Sequence, residues 1–342
     1  VSRPSRPFAP AFAAALLAGA ALQADPAAAA PPAPAPPAAK TAAPPSAAPR
    51  KPALPPAAAA PADPKLDVPY GAYQRGFYIT AFQEATKQIE RDRTDAAAMT
   101  LLGELYNQGL GVAQDSRKAA EWYRLAASRG DAHAMASLGL MAADGRGMAR
   151  NPAEARDWLD KAAAKGEPVA CYNLALLLLN GRDGDAARAA GLMRVAADAE
   201  IGDAQHGLGV LYSRGLGVER NTAEAARWFL RGARNGSIAG TVEYAIALFN
   251  GDGVAKNEPL AARYFRRAAA QGNAIAQNRL ARLYATGRGV PRNLVEAAAW
   301  HLVAAGQGLA DTWLDTTLSD LSKEDRARAE QIAADRVAAT RT

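Results

Sequence analysis

Between residues 95 and 308 the apolar positions recur with helical spacing in short blocks, and the blocks repeat. The strings LLGELYNQGLGV from Leu101, SLGLMAADGRGM from Ser137, NLALLLLNGRDG from Asn173, GLGVLYSRGLGV from Gly207, EYAIALFNGDGV from Glu243 and RLARLYATGRGV from Arg279 align directly. Their second residues, Leu102, Leu138, Leu174, Leu208, Tyr244 and Leu280, are 36, 36, 34, 36 and 36 apart. A fixed period of this length is the mark of stacked supersecondary units, each too small to bury its apolar face alone.

Each unit predicts two helices. Four residues before the Leu/Tyr column stands a small one (Ala98, Ala134, Ala170, Ala204, Gly240, Ala276), and directly after it Gly103, Gly139, Ala175, Gly209, Ala245 and Ala281. Small residues at helical spacing let a second helix approach closely. The second helix carries an aromatic-rich column, Trp122, Trp158, Leu192, Trp228, Tyr264 and Trp300, expected to be the core knob that fits against them. Gly-x-Gly lies between the helices in five units, with Asp115, Asn151, Asn221, Asn257 or Asn293 four residues beyond the second glycine. Glycine supplies the positive φ that stops one helix, and Asn or Asp caps the next. Glu154, Glu224 and Glu296 stand where a reciprocal capping-box carboxylate belongs. In the third unit Gly181-Arg182-Asp183-Gly184-Asp185 is two residues shorter, which predicts a tighter turn and a local change of pitch.

The flanks differ in composition. Arg3 and Arg6 precede the apolar run Phe8 to Leu22 and a small-residue cluster, so 1–30 reads as a signal peptide and predicts a periplasmic or secreted protein; an uncleaved anchor is the alternative. Residues 31–65 are almost entirely Ala and Pro, which predicts a disordered linker with polyproline II character. Tyr70 to Phe82 resembles a short-looped tetratricopeptide-type hairpin, which implies an opening hairpin over 66–94, and 309–342 predicts C-terminal capping helices, with Ser322 capping the last of them. The fold class predicted is therefore all-α, a right-handed superhelical solenoid of antiparallel helix pairs behind a disordered tail.

Charge changes the picture little. The chain carries a net +6, divided equally between residues 1–64 and the rest, and no basic run is longer than Arg266-Arg267. Nucleic acid is disfavoured as a partner. One cysteine excludes a disulfide framework within the chain and a Cys-based zinc cage. Cys171 lies in a column with Met99, Met135, Gln205, Thr241 and Gln277, next to the small-residue column, and reads as a buried contact rather than a nucleophile. His133, His206 and His301 share no ligand spacing, and no nucleophile, base and oxyanion donor assemble, so neither a catalytic site, a metal site nor a cofactor is expected.

The motif A-x-x-x-L-G-x-x-Y-x-x-G-x-G-V followed by N/D-x-x-x-A-x-x-W-(Y/F)-x-x-A-A-x-x-G resembles the Sel1-like repeat, a relative of the tetratricopeptide repeat. The resemblance implies a non-enzymatic interaction scaffold or adaptor that binds other proteins; exported bacterial members include regulators that restrain a membrane sensor kinase, and others serve in assembly. A cysteine-rich branch binds or hydrolyses β-lactams, so a ligand-binding or hydrolysing enzyme acting on cell-wall or β-lactam-like compounds is the alternative reading. That branch locks each repeat with cysteines, and this chain has Cys171 alone.

In such solenoids the first helices line the concave face. Counting outward from the buried column, the central units present Leu140, Tyr172, Leu176, His206, Val210, Val242, Ile246 and Phe249 between polar ends, the layout of a binding groove for a protein or peptide on a monomer with no transmembrane span once mature. The competing reading is that curvature buries the stripe between neighbouring first helices, or that the C-terminal helix covers it.

Overall fold

The computed structural model describes residues 68–181 and 185–341. The expected signal peptide, the Ala/Pro-rich linker and the middle of the short third loop lie outside these residues. Among the described residues there are sixteen helices and no strand. A first pair, α1 (Val68–Gln74) and α2 (Tyr78–Arg91), precedes six regular ones. These are α3 (Ala96–Gln108) with α4 (Ser116–Ser128), α5 (Ala132–Asp144) with α6 (Pro152–Ala164), and α7 (Pro168–Asn180) with α8 (Ala186–Asp198). Then come α9 (Gly202–Arg214) with α10 (Thr222–Arg234), α11 (Ile238–Asn250) with α12 (Glu258–Ala270), and α13 (Ala274–Thr286) with α14 (Leu294–Ala305). The short α15 (Thr312–Thr317) and the long α16 (Lys323–Arg341) close the chain. From α1 to α14 each helix packs on its chain neighbours, which makes an all-α solenoid of antiparallel pairs.

Turn chemistry sets the boundaries. Gly109, Gly145, Gly215, Gly251 and Gly287 end the first helices in the left-handed region, and each donates its N–H back to the last turn. Asp115, Asn151, Asn221, Asn257 and Asn293 cap the second helices as expected, and Asp185 does so in the third unit by accepting from Arg188 N at 2.8 Å. The capping-box expectation needs correction. The backbone N–H of Asn151, Asn221 and Asn293 donates instead to a carbonyl of the preceding first helix, at 2.8 to 2.9 Å, so no glutamate is needed there. Glu224 pairs with Arg227 and Glu296 with Arg336 instead.

The second glycine of each loop does something the sequence reading did not give it. At Gly147, Gly217, Gly253 and Gly289 an added Cβ would overlap the carbonyl of Ser116, Ala186, Thr222 and Glu258, respectively, at the start of the preceding unit's second helix. The loop of one unit therefore lies directly on the N-terminus of the helix before it, and only glycine leaves room. This contact fixes the stacking of unit on unit.

The core knob is shared between two columns: Trp228 and Trp300 are buried as expected, but the residue after each knob is the one that is always buried. Trp122, Trp158, Leu192 and Tyr264 are only half-buried, whereas the next column, Tyr123, Leu159, Met193, Phe229 and Phe265, is buried in every unit. Helix crossing aims that column at the small residues: an added Cβ on Gly103 would lie 2.6 Å from Tyr123 Cε1, on Gly139 2.8 Å from Leu159 Cγ, and on Gly209 2.5 Å from Phe229 Cδ1. Cations lie over the Trp column: Lys161 is 4.5 Å from the centroid of the half-buried Trp158, Arg231 4.5 Å from that of Trp228 and Arg336 3.9 Å from that of Trp300.

Candidate functional site

Successive first helices touch one another at α3–α5, α5–α7 and α9–α11, while successive second helices stand further apart. The first-helix row is thus the inner face. Its path is left uncovered by the C-terminal helix, because α16 packs along α14, the second helix of the last full unit.

Curvature has buried part of the anticipated groove. Tyr172, Leu176, His206, Val210 and Val242 are all nearly inaccessible, His206 against the Phe229 ring of α10, and their expected projection toward a ligand is corrected. The residue two before the buried column is inaccessible in all three central units, at Tyr172, His206 and Val242. Leu140, Ile246 and Phe249 remain half-exposed, and Leu179, one turn further along α7, is half-exposed as well. What stays open is a narrower apolar row, shifted toward the C-terminal ends of the first helices. Arg288 lies over the Phe249 ring, 4.2 Å from its centroid, and forms one edge.

Charged groups flank the row. Burial pushes the His206 pKa down to about 4 against the nearby Asp203, so the ring is neutral, and it packs 5.9 Å from Phe229 between centroids. Burial raises the Glu243 carboxyl, opposed by the Arg214 charge, and drives the Tyr172 phenol to about 12 with Asp203 adding to the shift. At the N-terminal end Tyr123 reaches past Gly103 and donates its hydroxyl to Glu104 at 2.6 Å. The other end is already occupied. Asn278 and Arg282, at the polar end of the row, both bind Asp311, the N-cap of α15, at 2.7 Å, with a second Arg282 bond of 2.9 Å. These donors hold the Asp311 carboxyl near pKa 2 against the burial that would raise it. The shortened α15 thereby takes the place a seventh first helix would fill.

The isolated titratable residues have structural surroundings. Cys171 is buried, its thiol 3.9 Å from the Ala163 carbonyl, and burial pushes its pKa to about 11, the opposite of what a nucleophile requires. Gln205 and Gln277, in the same column, donate to the Ala197 and Ala269 carbonyls at 3.0 and 3.2 Å, so the column serves to satisfy the end of the preceding second helix. His133 lies on an exposed edge beside Glu167, whose carboxylate raises its pKa. His301 is buried and bonds Asp315 through Nε2 at 2.7 Å. Among the described residues no three His, Cys, Asp or Glu side chains group as a metal set, and no helix is long and apolar enough to cross a membrane.

The sequence matches the Sel1 repeat family over residues 96–131, 132–167, 168–200, 202–237, 240–273 and 274–309. Among solved structures the chain is similar to a Sel1 repeat protein from Oxalobacter formigenes, at 27% identity and a TM-score of 0.61, over 71% of this chain and 97% of that one. It is also similar in fold to c5321, a protective antigen present in uropathogenic Escherichia coli strains, at 24% identity and a TM-score of 0.52, over 81% of this chain and 70% of that one. No curated protein matches the sequence.

Proposed function

Because the chain belongs to the Sel1 repeat family, whose fold is typical of protein–protein interaction, we propose that it is a non-enzymatic scaffold that holds a segment of a partner protein on its inner face. The observation that carries this reading is the half-exposed row Leu140, Leu179, Ile246 and Phe249, an apolar strip between charged groups on a face that no part of the described chain covers. An apolar strip with a charged rim suits an amphipathic helix or an extended segment whose alternate side chains are apolar. We place the scaffold outside the cytoplasm on the strength of Arg3, Arg6 and the run Phe8 to Leu22, where it would regulate a membrane sensor or an envelope assembly.

A photo-crosslinking residue placed at Ile246 or Leu179 in source cells tests the face. A discrete adduct from these positions, missing when the probe stands at the outward Leu125, is the expected result. No adduct, or the same adducts from Leu125, would overturn the reading. Cell fractionation tests the location: full-length chain with an intact N-terminus found only in the cytoplasm would contradict export. Incubation with a fluorescent penicillin should leave the protein unlabelled.

A further inference from the structure

The outer face, built from the second helices, carries a break in its charge pairing. Arg188 of α8 pairs with Asp160 of α6, and one junction later Asp198 of α8 lies 3.8 Å from Arg231 of α10. One period further along the chain, the residues equivalent to Asp198 and Arg231 are Arg234 and Arg267. The junction of α10 with α12 therefore sets two guanidinium groups where its neighbour has an ion pair. Arg263, one turn before Arg267, and Arg266, whose guanidinium donates to the Tyr284 hydroxyl at 3.0 Å, extend the cluster. Arg234, Arg263, Arg266 and Arg267 are all exposed. Among the described residues none of the four has a carboxylate within ion-pair distance, whereas Arg227 and Arg231 beside them are paired with Glu224 and Asp198.

We propose that this arginine cluster on the outer face of the fourth and fifth units docks an acidic segment of a partner protein. Arginine forks favour carboxylates in bidentate geometry, and their charge persists at any physiological pH. The cluster thins to either side: the equivalents of Arg263 and Arg267 are Gly191 and Val195 on α8, where Arg194 alone stands in the place of Arg266, and Ala299 and Val303 on α14. A patch only two helices wide on a convex surface matches a short peptide segment better than a bilayer or a duplex, each of which would need cations spread over more repeats. The chain's own first 64 residues are net positive and do not complement it.

Fluorescence anisotropy of the full chain with a labelled Glu/Asp-rich peptide tests this. Arg234→Glu with Arg267→Glu should weaken binding about tenfold or more at low salt. Arg117→Glu with Arg124→Glu on α4, an identical change of net charge, should alter it less than about twofold. Circular dichroism confirms that both variants remain folded. Equal losses in the two variants would show a response to net charge alone and overturn the proposal, as would no loss in either. Tighter binding of a DNA duplex or of anionic lipid vesicles than of the peptide, with the same dependence on Arg234 and Arg267, would overturn the choice of partner.

Discussion

Two glycine columns with the same backbone conformation but different surroundings allow the unit-to-unit contact to be measured directly. Gly217 has φ +70° and Gly236 has φ +88°, so alanine at either position meets the left-handed penalty of about 1 to 2 kcal/mol. Around Gly236 nothing lies within 4 Å of an added Cβ, whereas at Gly217 that atom would overlap the Ala186 carbonyl. Backbone cannot rotate away as a side chain can, so Gly217→Ala must also push the fourth unit off the N-terminus of α8, at a further cost of about 1 to 3 kcal/mol. The third unit supplies an internal control. Its residue equivalent to Gly236 is Glu200, at φ +63°, so this column tolerates a side chain. The assay is urea unfolding followed by circular dichroism, with hydrogen exchange to localise the loss to the junction of the third and fourth units. Gly217→Ala should lower stability by about 2 to 5 kcal/mol and Gly236→Ala by about 1 to 2. Equal losses would refute the claim that the second loop glycine is reserved for close approach.

Three further outcomes follow from the same geometry. Glu200→Gly should raise stability by about 1 kcal/mol in urea titrations by removing left-handed strain. Phe229→Ala, which empties the contact over Gly209, should cost about 3 to 5 kcal/mol by thermal or chemical unfolding, clearly more than Trp122→Ala at a half-buried position. For His206, whose pKa falls from 6.5 to about 4 on folding, both states are neutral above pH 6.5 and the residue adds no pH dependence. Below that the unfolded chain takes up a proton that the folded chain refuses, so stability drops by about 3 kcal/mol as the pH falls toward 4 and then levels off. His206→Leu should remove that component from the stability difference between pH 7 and pH 4.

The period, the helix pairs and the caps were legible because they depend on local chemistry: glycine at positive φ, Asn or Asp accepting a nearby N–H, small residues one turn apart. What depends on how helices approach was not. Trp228 and Phe229 are adjacent on one helix and both border the core, and only the crossing angle decides that the Phe229 column meets Gly209. The second loop glycine looked like part of a turn because its obstacle, the Ala186 carbonyl, comes from another unit. Tyr172, His206 and Val242 read as outward positions of their helices, but they are buried once the units stack, His206 against Phe229, and no single repeat specifies that stacking. The Arg282–Asp311 pair has no signature in the repeat pattern because Asp311 comes from outside the last full repeat. Of the outer arginines the sequence displays only the pair Arg266-Arg267; the cluster gathers when residues at helical spacing from two repeats are placed side by side.

The central claim is that the inner face holds a partner through its remaining open apolar row. The most direct measurement is the affinity of the Ile246→Asp, Phe249→Asp variant for the protein captured at Ile246, taken together with its urea midpoint. Half-exposed positions contribute more to binding than to folding, so affinity should fall by about 2 kcal/mol or more while the unfolding midpoint stays close to that of the unchanged chain. Unaltered affinity would contradict the account, and an unfolding loss as large as that of Phe229→Ala would show that the row is packing and not a binding surface.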